Sequence, residues 1–187
     1  YNQALGALRA NENEEAAELF AEVERQHPYS PWATQAQLMA AYAYYQETRY
    51  DDAVLALDRF IQLHPGHENV DYAYYLRALC FYERIVDVER DQAMTIRAMQ
   101  ALRDVVRLFP DSIYSRDSQL KLDLTFDQLA GKEMDIGRWY LNQRYYNAAI
   151  NRFLTVVRDF ETTTHTPEAL HRLVEAYLAL GLVDEAQ

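Results

Sequence analysis

Small and bulky apolar residues recur at a fixed spacing along most of the chain. An alanine is followed four positions on by a bulky apolar residue, three further by another, and five further by a residue that ends the helix. Residues three and four apart lie on one face of a helix, so each instance predicts a helix with one buried side. The instances are Ala16-Phe20-Val23-Pro28, Ala53-Leu57-Phe60-Pro65, Ala98-Leu102-Val105-Pro110, and Ala149-Phe153-Val156 with Glu161 in the proline position.

The spacing of these instances predicts a helical repeat. Successive alanines are 37, 45 and 51 residues apart, and Ala186 opens a fifth instance after 37 more. Helix-turn-helix arrays of about 34 residues per unit have the nearest period. The expected fold is therefore all-α, a right-handed superhelical solenoid of about five helix pairs, the last incomplete. Such arrays normally serve as binding surfaces.

Turn and capping residues divide each unit into a helix A and a helix B. In the second unit, Ser30-Pro31 predicts the start of helix A, because serine caps a helix and proline fits its first turn. The run from Arg49 to Asp52 marks the turn, and His64-Pro65-Gly66 ends helix B. The first unit is expected to have helices at about residues 1–10 and 14–26.

Two insertions interrupt the basic repeat. Ile85 to Gln92 extends the third hairpin by about eight residues. The second insertion alternates leucine with polar residues, which a strand would also do, but a helical stripe is present and no partner strand is apparent. We therefore expect one long helix from about Ser115 to Asn142, weakened at Gly131 and closely packed at Gly137.

Charge and composition narrow the class of partner. The 187 residues carry 18 basic and 29 acidic side chains, a net charge of −11, so a nucleic-acid backbone is excluded and a basic protein partner fits better. No stretch approaches the roughly 18 apolar residues of a membrane span. Cys80, the only cysteine, is expected to be a small buried residue. Both ends of the sequence fall within helical patterns, so we expect the full protein to continue beyond them.

The A helices of the second and third units carry candidate ligand contacts. In stacked helix pairs the A helices line the concave surface, and their non-packing residues can contact a ligand. Tyrosine combines apolar area with a polar tip, which suits an extended aromatic peptide. The alternative is that these side chains pack against the next repeat as core. The candidates are Leu38, Tyr42, Tyr45, Tyr72, Tyr75, Leu79 and Tyr82.

The repeat positions resemble those of the tetratricopeptide family. Ile136-Gly137 followed by Tyr140, and Leu173-Val174 followed by Tyr177, place a small or apolar residue and an aromatic plug at that family's offsets. The match covers nearly the whole chain. It identifies the fold well and the function poorly.

Four segments resemble a narrower family, the BamD lipoproteins of the bacterial outer-membrane β-barrel assembly machinery. The two lengthened intervals between repeats also fit this family, which has five tetratricopeptide repeats. The segments are Tyr1 to Ala4, His27 to Ala33, Gly131 to Tyr140 and Ala149 to Phe153.

The resemblance implies a location, partners and a division of labour. It implies a protein at the periplasmic face of the outer membrane, held by an N-terminal lipid anchor absent from this chain. It also implies binding to the periplasmic domains of BamA, to other lipoproteins of the machinery and to the C-terminal segments of unfolded outer-membrane proteins. Residues 1–110 would form the substrate-receiving groove, and residues 111–187 would dock partners. At the family's docking position stand Asn151 and Arg152, whose guanidinium could equally form an intramolecular pair.

Other functions find less support in the residues. We expect no cofactor and no metal, because no phosphate-binding glycine loop, paired metal motif or nucleophile elbow occurs. We expect no enzyme. A wall hydrolase using Glu133 and Asp135 is disfavoured because residues two apart on a helix point away from each other. A periplasmic repeat scaffold that coordinates envelope constriction with wall synthesis stays open as an alternative.

Overall fold

A computed structural model describes residues 1–85 and 92–186. This part of the chain contains nine helices and no strand. They form four consecutive pairs, and the ninth is the first helix of a fifth, which confirms an all-α array of helix pairs with an incomplete end. The helices are α1 (Asn2–Arg9), α2 (Asn13–Gln26), α3 (Pro31–Gln46), α4 (Tyr50–Leu63), α5 (Val70–Tyr82), α6 (Gln92–Leu108), α7 (Ile113–Asn142), α8 (Tyr146–Asp159) and α9 (Thr166–Ala179).

Local sequence signals set the helix ends. The Ser30 hydroxyl accepts a hydrogen bond from the Trp32 backbone N–H at 3.2 Å, and proline occupies the first turn of α3. This is the predicted cap and start. Helix α4 ends at Leu63, just before the predicted His64-Pro65-Gly66 stop. The predicted extension of the third hairpin falls mostly on residues 86–91, outside the described residues.

The repeated apolar positions form the core. The four alanines that open the instances are fully buried, and so are the bulky residues four positions later. An alanine at the helix contact lets two helix backbones approach, while the larger residue fills the space beside it. The buried bulky residues are Phe20, Leu57, Leu102 and Phe153.

The chain forms two compact units. Among the described residues, the first ends at Gln119 and the second begins at Leu120, within α7. Helix α7 is continuous from Ile113 to Asn142. This confirms the helix that was expected from the apolar stripe, in preference to a strand. The expected functional division at residues 110 and 111 stays a prediction.

Gly137 lies at a close contact between α7 and α8 in the second unit. A Cβ atom built on it would be 2.5 Å from Cε1 of the fully buried Phe153 side chain. Only a residue without a side chain fits there, so the predicted close packing at Gly137 is confirmed. At Gly131 a Cβ atom would be 3.2 Å from Nε2 of His165.

The length and hydropathy of the helices show whether any of them could span a membrane. Across residues 1–85 and 92–186, every helix is too short or too polar to cross a bilayer.

Candidate binding surfaces

The seven predicted peptide-contact residues all lie on helices α3 and α5 of the first unit, and we call them the tyrosine face. Tyr42, Tyr45, Tyr72 and Leu79 are half-buried and pack against one core cluster. Leu38 belongs to that cluster, with only 2 % of its surface exposed. Leu38 therefore supports the face from beneath, and the peptide-contact prediction is kept only for the other six residues.

Tyr75 is fixed by a hydrogen bond and by a stacked ring. Its hydroxyl donates to Oδ2 of Asp117 at 2.6 Å. Its ring stacks on Tyr114, with centroids 4.9 Å apart and planes 20° apart. The Tyr72 ring contacts the same Tyr114 at 5.3 Å. A ring held in this way presents one face in a defined orientation, which lowers the entropy lost when a ligand binds.

The remaining tyrosines of the face are Tyr42, Tyr45 and Tyr82. The Tyr42 hydroxyl accepts a hydrogen bond from Nε2 of Gln46 at 2.5 Å. The rings of Tyr45 and Tyr50 are tilted, with centroids 5.8 Å apart. Tyr82 is half-buried at the end of α5. These side chains are half-buried, so part of each is accessible, and contact with a peptide stays a prediction for them.

Burial raises the pKa of three phenols in this face. It raises the pKa of Tyr45 to about 12, and the negative charge of Glu83 adds to the effect. It also raises the pKa of Tyr72 and Tyr75, and for Tyr75 the hydrogen bond to Asp117 acts in the same direction. These three phenols therefore hold their protons more tightly than free tyrosine and offer hydroxyl groups as hydrogen-bond donors and acceptors.

Two residues that support the tyrosine face were absent from the sequence prediction. Tyr114 and Asp117 lie on the first turns of α7 and contact Tyr75, about 40 positions earlier in the chain. Helix α7 follows Ser112, whose hydroxyl accepts a hydrogen bond from the Tyr114 backbone N–H at 3.2 Å. The rule that each A helix packs on the preceding one could have indicated these neighbours.

Arg152 forms an ion pair inside the second unit. Its Nη1 is 3.0 Å from Oε2 of Glu133 on α7. The Arg152 side chain is 42 % exposed and that of Glu133 is 18 % exposed. The neighbouring Asn151 is exposed, and its backbone carbonyl accepts a hydrogen bond from the Thr155 hydroxyl at 3.0 Å. The intramolecular pair occurs, and docking at Asn151 and Arg152 stays a prediction.

The carboxylates weighed for hydrolysis are engaged by arginines. Glu133 binds Arg152, and Asp135 binds Arg138. Arg138 also donates two hydrogen bonds to Glu168, at 2.9 and 3.0 Å. No group of three or more possible metal ligands is found among residues 1–85 and 92–186.

The arrangement of helices is that of a helix-pair repeat protein. A solved chain of nearly identical TPR-like repeats from Podosopora anserina has the same fold, with a TM-score of 0.50 and 18 % identity over all of this chain and 87 % of that one. The model of the YfiO family, described as outer membrane lipoprotein, matches residues 1–187, and the chain belongs to this family.

The curated relatives are more specific. The outer membrane protein assembly factor BamD of Caulobacter vibrioides is 55 % identical over 179 residues, which is 96 % of this chain and 58 % of that protein. The factor of the same name from Rickettsia prowazekii is 46 % identical over 187 residues, 100 % of this chain and 74 % of the relative. The chain thus spans just over half the length of the Caulobacter relative. The resemblance to the BamD family is confirmed.

Proposed function

We propose that the protein is a non-enzymatic scaffold of the outer-membrane β-barrel assembly machinery. It binds BamA and receives unfolded outer-membrane proteins for folding and insertion into the outer membrane. The observation that carries the proposal is the whole-length family match together with relatives named outer membrane protein assembly factor. In the full-length protein an N-terminal lipid anchor would hold this array at the periplasmic face.

The tyrosine face of α3 and α5 is the proposed receiving surface for unfolded substrate. Its phenols are half-buried, burial raises the pKa of Tyr45 and Tyr75, and Tyr75 is held in place by Tyr114 and Asp117. An unfolded barrel protein presents an extended segment with aromatic side chains, and rigid phenol rings offer contact area at low entropic cost. This chemistry supports recognition of the aromatic C-terminal segments of those substrates.

A matched pair of variants tests the substrate role. Replacing Tyr42, Tyr75 and Tyr82 by alanine removes ring area, whereas replacing the same three by phenylalanine keeps it. With a photoreactive peptide that ends in aromatic residues, we expect the alanine variant to lose at least about tenfold in crosslinking and the phenylalanine variant to keep most of it. Unchanged crosslinking in an alanine variant of normal helicity would reject the role.

Arg152 is the proposed contact for a carboxylate of BamA. The exposed part of its guanidinium can donate hydrogen bonds to a second carboxylate, or bind that carboxylate in place of Glu133. Each charge of the pair can be removed separately. Arg152→Ala then deletes the docking cation, while Glu133→Gln deletes only its internal competitor.

Copurification of the full-length protein with BamA tests the docking role. We expect Arg152→Ala to reduce BamA recovery and Glu133→Gln to maintain or increase it. Arg158→Ala is the control, because Arg158 lies on the same helix and pairs with its neighbour Asp159. If Arg152→Ala and Glu133→Gln reduced BamA recovery equally, the ion pair would serve the stability of the fold and Arg152 would not be the contact. Recovery of wall-synthesis factors without BamA would favour the alternative scaffold.

A further inference from the structure

Two aromatic side chains at the turn between α7 and α8 are exposed to solvent. An open cleft of about 530 Å³ lies there, lined by Tyr140, Arg144, Tyr145 and Leu180 among others. Tyr145 is 60 % exposed, and the neighbouring Trp139 is 55 % exposed. Large exposed aromatic groups beside a concave, mainly apolar surface are more often part of an interaction site than needed for folding.

The aromatic rings at this turn hold one another in a fixed arrangement. The rings of Trp139 and Tyr140 meet edge to face, with centroids 5.1 Å apart and planes at 73°. Those of Tyr140 and Tyr145 do the same at 6.4 Å and 76°. Such contacts limit rotation of the exposed rings before a ligand arrives, which favours binding.

Arg144 occupies a backbone position that does not favour arginine. Its φ is +63°, in the left-handed region where glycine or asparagine is preferred. Thr48 has the same role in the turn between α3 and α4, with φ +58°. The N–H of Arg144 donates to the carbonyl of Leu141, and that of Thr48 donates to the carbonyl of Tyr45, both at 2.9 Å. The turn requires a left-handed residue, so its geometry does not account for the arginine.

Arginines at the two equivalent turns differ in their bonding. Arg49 binds Asp52 at 2.8 Å and lies 4.9 Å from the centre of the Tyr44 ring. Arg144 is exposed, and no ion pair or side-chain hydrogen bond of it is found with the described residues. Its guanidinium thus adds a positive charge at the aromatic cleft in a chain of net charge −11.

We propose that the cleft formed by Tyr140, Arg144, Tyr145 and Leu180 docks a protein segment that presents a carboxylate beside an apolar side chain. Arginine binds a carboxylate through two parallel hydrogen bonds, and the aromatic rings cover the apolar neighbour. A lipid surface is disfavoured because it attracts clusters of basic residues, whereas this cleft has one. The inference rests on the proposed function only in expecting a protein partner on the second unit.

Photocrosslinking from the cleft tests this inference in the full-length protein. A benzoylphenylalanine at position 145 should capture a protein segment in cells, and sequencing should place aspartate or glutamate within a few residues of the crosslink. Arg144→Gly should lower the yield at least about fivefold, since it removes the guanidinium while glycine suits the left-handed backbone. Thr48→Gly, the same backbone change at the equivalent turn, should leave the yield unchanged.

Charge exchange then identifies the bonded pair. Arg144→Glu should abolish the crosslink, and lysine in place of the captured carboxylate should restore it. A crosslink to lipid, to a second copy of this chain, to a segment without a carboxylate, or to nothing would overturn the inference. So would a yield indifferent to Arg144→Gly. Failure of the unaltered full-length protein to copurify with BamA would count against the proposed function instead, whichever segment the cleft captures.

Discussion

In the first unit, most of the groups whose pKa is shifted are phenols. In the second unit, they are carboxylates and arginines that take part in hydrogen bonds. In the first unit, burial raises the pKa of Tyr45, Tyr72 and Tyr75. In the second, hydrogen bonds from Thr164 lower the pKa of Asp127, and one from Arg138 lowers that of Glu168. The groups with shifted pKa values therefore differ in kind between the units: buried phenols in the first, and hydrogen-bonded carboxylates and guanidinium groups in the second.

The glycine at the α7–α8 contact gives the largest expected difference between the units. Gly137→Ala would place a methyl group 2.5 Å from the buried Phe153 ring, so we expect a loss of about 1–3 kcal/mol in the free energy of unfolding. Gly6→Ala, within α1 and with nothing within 4 Å, should gain roughly 0.5–1 kcal/mol. Urea unfolding measures both. Equal effects at the two sites would show that the contact at Gly137 tolerates a side chain.

The hydrogen bond between Tyr75 and Asp117 gives the next effect. Tyr75→Phe keeps the ring stacked on Tyr114 but removes the hydroxyl that donates a hydrogen bond to the Asp117 carboxylate. A part-buried bond to a charged group contributes about 1–2 kcal/mol, so the unfolding free energy should fall by that amount. Tyr29→Phe is the control, since Tyr29 is fully exposed. A Tyr75→Phe protein as stable as the control would mean that stacking alone fixes the ring.

Alkaline pH should weaken the first unit. The pKa of Tyr45 is about 12 in the folded state, while an unfolded tyrosine ionises near about 10. The folded form therefore holds the proton more tightly, and its stability is present below pH 10 and lost as the pH rises toward 12. Phenolate absorbance during alkaline titration, compared with Tyr45→Phe, measures this loss. Ionisation of every tyrosine near pH 10 in the folded protein would contradict it.

Acid pH should weaken the second unit, by the smallest amount. The pKa of Glu168 is lowered by its hydrogen bond from Arg138, so its contribution is present above the unfolded value of about 4.3 and is lost as the pH falls below it. The Glu168 side chain is 39 % exposed, which limits the contribution to under about 1 kcal/mol. Glu168→Gln should flatten the acid limb of a stability–pH curve. An unchanged acid limb would assign the pair no net effect.

Periodicity predicted the helices and the core because both depend on residues close together in sequence. The stripe along α7 and the absence of a partner strand correctly favoured one helix, found from Ile113 to Asn142. Gly137 was placed at a tight contact because a small residue at that repeat position lets helices approach. Local capping, likewise, located the start of α3 at Ser30 and Pro31.

Periodicity could not predict which polar atoms meet between packed helices. The bond from Tyr75 to Asp117 joins residues 42 positions apart, and that from Arg152 to Glu133 joins residues 19 apart. Such pairs depend on side-chain rotamers and on the distance between packed helices. Leu38 shows the same limit. Its helical position suited the tyrosine face, yet it points into the core with Leu57 and Phe60.

A reciprocal test in cells examines the division of labour most directly. One full-length variant carries alanine at Tyr42, Tyr75 and Tyr82, and the other carries Arg152→Ala. Crosslinking to unfolded outer-membrane protein and copurification with BamA are measured for both. We expect the first variant to lose substrate crosslinks and keep BamA, and the second to keep substrate crosslinks and lose BamA. Loss of both activities in each variant, or of neither, would contradict separate binding surfaces on the two units.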